Sequence, residues 1–510
     1  MLRPITTSPA DTSLSQAMPD RVLTLLDALD EKRQRHPDKP FLVDSAQRLT
    51  YGESWERVNG LADHLLSSGV GAGDYLCLLL PRVPELVIAF LAAARIGALA
   101  VPVNFSLKEP KVVSFLQGIG PKVVVVHEKF LHLAKDTLDG SPLLIQVGGE
   151  AGDGVTAWGE ASKPHPGIDI PPVAVEDIAY LNYTTGSSGD PKGAFATHAN
   201  IYWNTRSAVE VLEMTEGDVH LCMFAPFAHP HELFARALYT GGTQIFLQEI
   251  NPKTIVRTVQ SEGVTCMMGL APMFDSLAVN CADLDLGKLR FAESGGMFTR
   301  PDIIERFMAA FGVPLLSVWG STETTGIAVA NRLDAFRTDG SAGRICPYYD
   351  VRVVDDEGRD VAVGEAGELA FRGEGVIPGY DRGRELTVLD DWLLTGDIVR
   401  QDEEGYFYFL ERKSGLIKVA GLKVFPLEVE LLLQSHPGVR EVAVIGVQDQ
   451  RKGMVPKAFV VREAGSEVTS RDLAAFCREK MANYMVPKEM VFREALPKIG
   501  SGKIDKKSLA

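Results

Sequence analysis

Apolar residues along this chain follow two alternating rhythms. One is a set of short continuous runs, at 75–80 (Tyr-Leu-Cys-Leu-Leu-Leu), 122–126 (Lys-Val-Val-Val-Val) and 178–181 (Ile-Ala-Tyr-Leu). Such runs predict strands buried on both faces. The other is an amphipathic spacing, which predicts a helix over 22–29 behind Asp20 as N-cap, and another over 53–66 before a turn at 69–73. The most apolar stretch, 86–103, is interrupted by Arg95, Gly97 and Pro102. It predicts a buried helix running into a strand, not a membrane span. Strands alternating with helices predict an α/β fold of mainly parallel sheets with flanking helices.

The rhythm changes in the last hundred residues. An apolar run at 406–410 leads into the polar Glu411-Arg-Lys-Ser-Gly415. A predicted helix at 426–435, strand at 441–447 and helix at 470–481 then make a small α+β unit. The chain's 510 residues exceed what one hydrophobic core serves. The expected organisation is a loose polar tail over 1–20 and a large N-terminal domain over 21–411. A hinge at 412–414 and a small mobile C-terminal domain over 415–510 complete it.

Composition narrows the function. A net charge of −15 argues against nucleic-acid binding, which wants a basic face, but leaves small anionic ligands open. Six scattered cysteines form no C-x-x-C pair, so neither a zinc site nor a disulfide framework is expected, and a reducing compartment is. The first ten residues lack a signal-peptide core, and Lys507-Ser-Leu-Ala510 is not the peroxisomal tripeptide. A cytoplasmic location is the expectation. Oligomeric state is not legible; a homodimer is the commonest assembly on general grounds.

The strongest chemical signal is Tyr183-Thr-Thr-Gly-Ser-Ser-Gly-Asp-Pro-Lys-Gly193. Behind a predicted strand, Gly186, Ser187, Ser188 and Gly189 can gather several backbone N–H groups at one point. The hydroxyls of Thr184, Thr185, Ser187 and Ser188 can donate to phosphate oxygens. Lys192 adds a cation for charge building on a leaving pyrophosphate. No Gly-Lys-Ser/Thr occurs, so this is not a Walker A loop; Gly500-Ser-Gly-Lys503 is followed by Ile504, which disqualifies it as well.

At this loop the sequence resembles the adenylate-forming superfamily: acyl-CoA synthetases, peptide-synthetase adenylation domains and luciferases. Ordered motifs carry the resemblance from Tyr183 to Lys503. They are Thr197-His-Ala-Asn200, Val318-Trp-Gly-Ser-Thr-Glu323, Gly367-Glu-Leu-Ala-Phe-Arg-Gly373 with Gly379-Tyr380, Trp392-Leu-Leu-Thr-Gly-Asp397, the segment 412–430, and Leu496-Pro-Lys-Ile-Gly-Ser-Gly-Lys503. Taken singly, each of these residues could be core or surface; their order is what gives them weight.

The resemblance implies ATP-dependent activation of a carboxylic acid as an acyl-adenylate, then transfer to a thiol. It implies that Trp319 packs beside adenine, flanked by Gly295, Gly296, Gly320 and Ser321, and that Thr322 bonds the α-phosphate. Glu323 would hold Mg²⁺. Asp397 would accept from the ribose hydroxyls with Arg412 nearby. Lys503, with Lys192, Thr184 and His229, completes the candidate catalytic set; Lys503 would offset repulsion between the acid's carboxylate and the α-phosphate. Ser414 stands at the family's hinge, where relatives often carry Asp or Lys. Rotation there would alternate Lys503 with the segment around Gly421.

The family's acyl pocket includes a Pro-x-x-His-x-x-Gly element, which here reads Pro226-Phe-Ala-His-Pro-His-Glu-Leu233. Glu232 replaces the glycine, and Met297 replaces a small residue. A narrowed or more polar pocket bounded by His229, Glu232, Met297 and Gly320 is expected, unless Glu232 turns away to pair with Arg236. Ala228 after Phe227 speaks against an α-amino acid. Lys418 and Lys423 beside Gly421 suit the phosphates of CoA, or a separate carrier protein bearing phosphopantetheine. CoA ligation is the leading reading and carrier loading the second. A luciferase-like oxygenase is a third, and a binding protein without catalysis a fourth.

Overall fold

The computed structural model describes every residue except 1–17, 20, 136, 139–141, 185–191, 450, 499–503 and 510, and the side chain of Thr184. Contacts divide the chain into two compact units. The first is Met1–Asp350 with Phe371–Thr387; the second is Val351–Ala370 with Val388–Ala510.

The first unit holds two largely parallel sheets, as the apolar runs predict. One has seven strands in the order Thr156–Ala157, Leu143–Val147, Val123–His127, Tyr75–Leu79, Leu99–Pro102, Ile178–Thr184 and Lys192–Thr197, and only its last pair is antiparallel. The other has nine strands. Its parallel centre runs Leu315–Ser321, Phe291–Ser294, Cys266–Gly269, Val219–Cys222, Thr243–Ile245 and Pro40–Val43. Antiparallel strands extend both edges: Gly326–Ala330 and Arg344–Ile345 at one, Arg48–Thr50 at the other.

Side chains alternate across a strand, and the nine-stranded sheet uses this to build two unlike faces. Leu221, Ile245, Met267, Ala292 and Leu315 share the apolar face, which packs with Phe274, Leu277 and Phe307. Their neighbours His220, Gln244, Cys266, Phe291 and Glu293 share the other face, so polar groups are buried there.

The predicted helix over 22–29 is corrected by the structure to Leu25–Arg35. Asp20 lies outside the described residues. Thr24 is the cap: its hydroxyl accepts the Asp27 N–H (3.0 Å) and the Asp27 carboxylate accepts the Thr24 N–H (3.1 Å), a reciprocal capping box. Thr50 and Glu53 repeat the device at helix Tyr51–Ser67. The apolar stretch 86–103 forms helix Pro84–Arg95 and strand Leu99–Pro102. Among the described residues no helix is long and apolar enough to cross a membrane.

The second unit is built mainly on antiparallel pairs. A five-stranded sheet orders Tyr349–Val354, Ala366–Gly373, Trp392–Gln401 and Val388–Leu389, with Phe407–Arg412 antiparallel beside Trp392–Gln401. The first of these strands begins in the first unit, and the second ends in it. A further sheet is built on Val439–Asp449 and Gly453–Arg462, with Ile417–Val419, Leu422–Val424 and Glu489–Phe492. Helices Pro426–Gln434 and Ser470–Lys480 cover its apolar core of Val429, Leu433, Val444, Val460 and Leu473. The segment 412–414 falls inside this unit, at the short turn Lys413–Gly415.

Candidate active site

In open parallel sheets, ligands bind beyond the carboxyl ends of the strands. In the first unit those ends carry most of the sequence-predicted site. Val219–Cys222 runs toward His229, Phe291–Ser294 into Gly295, Gly296 and Met297, and Leu315–Ser321 contains Trp319, Gly320 and Ser321 and leads to Thr322 and Glu323. Gly320 is required by close approach: a Cβ there would lie 2.3 Å from the Gly326 carbonyl oxygen. Gly296 takes a φ of +74°, which favours glycine.

The phosphate loop proper, Thr185 to Pro191, lies outside the described residues, so Thr185, Gly186, Ser187, Ser188 and Gly189 are not placed. Its two flanking strands are. They pair antiparallel, with Thr184 opposite Lys192 and Tyr183 opposite Gly193. The Lys192 ammonium sits 5.3 Å from the centroid of the Tyr380 ring. The Tyr380 hydroxyl donates to Glu323 Oε1 at 2.5 Å. Burial, then the Glu323 carboxylate, pushes the Tyr380 phenol's pKa well up, so it stays protonated and able to donate. The expected phosphate cation and the expected metal-binding carboxylate are therefore joined through one tyrosine.

Tyr380 is held there by backbone. It bridges Ala194, and the Phe195 N–H donates to the Gly379 carbonyl (3.0 Å). The next residue, Asp381, accepts from the Tyr183 hydroxyl (2.6 Å). Asn182 links two further pieces: its amide donates to the Ala228 carbonyl (2.6 Å) and lies 3.5 Å from the Thr322 hydroxyl. Sequence reading quoted Gly379-Tyr380 as a motif but gave it no chemistry, and it passed over Asp381 and Asn182.

Among the described residues no cluster of three or more His, Cys, Asp or Glu could hold a metal. A lone carboxylate suits Mg²⁺, which keeps waters and takes substrate phosphates as ligands. Trp319 is half-buried and stacks one face on Phe371 (5.1 Å, 12°).

On the acid side, Glu232 does pair with Arg236 (3.0 Å), and Arg236 also pairs with Glu293 (2.6 Å). Met297 is partly buried and packs against the apolar core of this unit. His231 is buried, and its Nδ1 shares a 2.7 Å hydrogen bond with the Tyr180 hydroxyl. Burial, then the Arg236 charge, holds its pKa down at about 3, so the ring is neutral.

In the second unit, Asp397 is 2% exposed and its Oδ1 lies 2.6 Å from Arg412 Nε, an ion pair. The two residues are cross-strand partners. The buried Glu368 was quoted in a motif without a role. It accepts the Gly396 N–H (3.0 Å) and the Lys413 ammonium (2.7 Å), and so fixes the residue before Asp397. That hydrogen bond to Glu368, opposed by burial, raises the Lys413 pKa. Lys418 and Lys423 stand opposite each other on a two-residue hairpin. Its turn residues Ala420 and Gly421 have φ of +49° and +88°, as a type I′ turn requires. Lys423 lies 3.8 Å from Asp356. Lys503 lies outside the described residues.

Comparison with known proteins bears on the whole chain. A family model described as AMP-binding enzyme matches residues 29–381, and a second, AMP-binding enzyme C-terminal domain, matches 428–503. A feruloyl-CoA synthase of an Amycolatopsis species is 34% identical, over 89% of this chain and 92% of its own. A long-chain-fatty-acid–CoA ligase of Escherichia coli O157:H7 is 30% identical, over 98% and 96%. Among solved structures, an anthranilate CoA ligase in complex with anthranoyl-AMP superposes with a TM-score of 0.87 at 27% identity, covering 96% of each chain. A benzoate CoA ligase from Burkholderia xenovorans gives 0.85 at 26%, covering 96% of this chain and 99% of its own. The chain therefore belongs to the AMP-binding enzyme family, the adenylate-forming superfamily its motifs resemble, as an AMP-forming acid–CoA ligase.

Proposed function

We propose that the Lys192–Tyr380–Glu323 cluster is the pyrophosphate and Mg²⁺ end of the ATP site, and that Trp319 and Thr322 mark its adenine and α-phosphate end. In the first half-reaction a carboxylate oxygen of the acid attacks the α-phosphorus, the bond to the β-phosphate oxygen breaks, and pyrophosphate leaves. In the second the CoA sulfur attacks the acyl carbonyl and AMP leaves. Glu323 would hold Mg²⁺, which would supply positive charge to the departing pyrophosphate. Lys192 adds a fixed positive charge to the same end. The Tyr380 hydroxyl orients one Glu323 oxygen and leaves the other available.

Asp397 and Arg412 are the ribose-binding pair, aligned through Glu368 and Gly396. Residues 412–414 are the proposed hinge, Lys503 the proposed adenylation lysine, and the Lys418–Lys423 hairpin with Gly421 the proposed CoA-facing segment. His229, Gly295, Gly296, Met297 and Gly320 bound the proposed acid pocket. The relatives include enzymes named for aryl acids and for long-chain fatty acids, so the choice of acid rests on this chain's own residues.

The cluster around Tyr380 carries the reading, and Tyr380→Phe tests it. Losing a group that orients a metal ligand costs roughly 10-fold or more in metal affinity. The variant should need about 10-fold more Mg²⁺ for half-maximal activity, with the acid's KM unchanged. An unchanged Mg²⁺ dependence would refute the assignment.

A further inference from the structure

An ionic triad lies buried on the elements that carry the proposed acid pocket. Arg236 pairs with Glu232 (3.0 Å) and with both oxygens of Glu293 (2.6 and 3.4 Å). The three residues are 4%, 5% and 1% exposed. Each carboxylate hangs from an element of the pocket. Glu232 follows His229 by one turn of a short helix, Pro230–Leu233, and Glu293 stands on the strand that ends at Ser294, just before Gly295. Glu232 also abuts Gly326, which packs on Gly320: a Cβ on Gly326 would come within 2.8 Å of Glu232 Oε1.

Beside the triad lies a small cavity with room for about one water. His220, Gln244, Cys266 and Phe291 line it together with the triad itself. His220 Nε2 and Arg236 Nε have no hydrogen-bond partner there. An alkyl chain entering this region would separate paired charges and bury polar atoms without partners, which is costly.

We infer that the Glu232–Arg236–Glu293 triad closes the inner end of the acid pocket, with Glu232 setting its depth, so that the enzyme takes compact acids of single-ring or short-chain size and excludes long alkyl acids. This rests on the acid-pocket reading above. Pairing with Arg236 and a role in the pocket are thus not alternatives for Glu232: the pair is what holds the plug in place. Removing Glu232 alone leaves Arg236 and Glu293 paired one to one, so no buried cation loses its last partner while the pocket opens into the cavity.

The test is acid-dependent pyrophosphate release over benzoate and straight-chain acids from acetate to tetradecanoate. Each added methylene the pocket refuses costs about 10-fold or more in kcat/KM. Wild type should therefore favour benzoate over tetradecanoate by at least about 100-fold. Glu232→Gly should raise kcat/KM for decanoate and longer acids by about 10-fold, while Glu232→Gln, of equal size, keeps the wild-type cut-off. Equal use of benzoate and tetradecanoate by wild type overturns the inference and needs no variant. So does an unchanged length profile in a folded Glu232→Gly. Met297→Ala separates the two readings: if it shifts the acids' KM while Glu232→Gly does not, the triad's role fails and the pocket stands. If neither moves, both fail.

Discussion

Replacing Arg236 by methionine should destabilise the first unit by about 3–5 kcal/mol, the cost of leaving a buried charge without its partner. Two carboxylates, Glu232 and Glu293, would remain in the core with no cation between them. Already in the wild type, burial pushes the Glu293 pKa up, against the pull of Arg236. Without the guanidinium the Glu293 carboxylate must take up a proton to stay buried. Its folded pKa then rises further above the unfolded one, so the variant's deficit relative to wild type should shrink as pH falls below neutrality. Urea unfolding of both proteins at pH 8 and pH 5.5 measures this. A deficit under about 1 kcal/mol, or one that grows on acidification, would mean that the triad does not carry the charge balance assigned to it.

The second large effect is on ATP. Asp397→Ala removes the carboxylate proposed to accept both ribose hydroxyls and strips Arg412 of its cross-strand partner. A hydrogen bond to a charged group contributes about 1.5–3 kcal/mol, so losing two should lower kcat/KM for ATP by about 100-fold or more. The acid's KM should stay near wild type, because the proposed acid pocket is built from other elements. Steady-state kinetics with each substrate varied in turn decides this. Equal losses for ATP and acid would indicate general damage to the fold and not a ribose contact.

How much of this was legible in the sequence depends on the distance over which each interaction acts. Short apolar runs gave the parallel strands because burial on both faces leaves a local mark. The motif order pointed to Trp319, Glu323 and Asp397 as site candidates for the same reason: each sits in a contiguous motif. Tyr380 was visible as a letter in a motif, but its role is a contact with Glu323, 57 residues away, and with Lys192. No periodicity encodes that.

The triad left a fainter trace. Glu293 is an acid inside the buried strand Phe291–Ser294, and His220 and Gln244 interrupt neighbouring strands on the same face. A buried carboxylate in an apolar run demands a cation, but which one is settled only by the packing of helix Ala235–Thr240. Antiparallel strands such as Trp392–Gln401 left a weaker mark, because they carry exposed polar residues and lack the apolar runs by which the parallel strands were found. The start of the first helix was misplaced because Thr24 and Asp27 satisfy each other, whereas Asp20 merely had the right side chain.

The central claim is that the acid is activated as an adenylate before the thiol takes part. Exchange of labelled pyrophosphate into ATP tests this most directly, run with wild type, a compact acid and Mg²⁺, with and without CoA. The account predicts exchange that requires the acid and proceeds without CoA, with AMP as the nucleotide product when CoA is added. Exchange that requires CoA, or formation of ADP and phosphate in place of AMP and pyrophosphate, would contradict it.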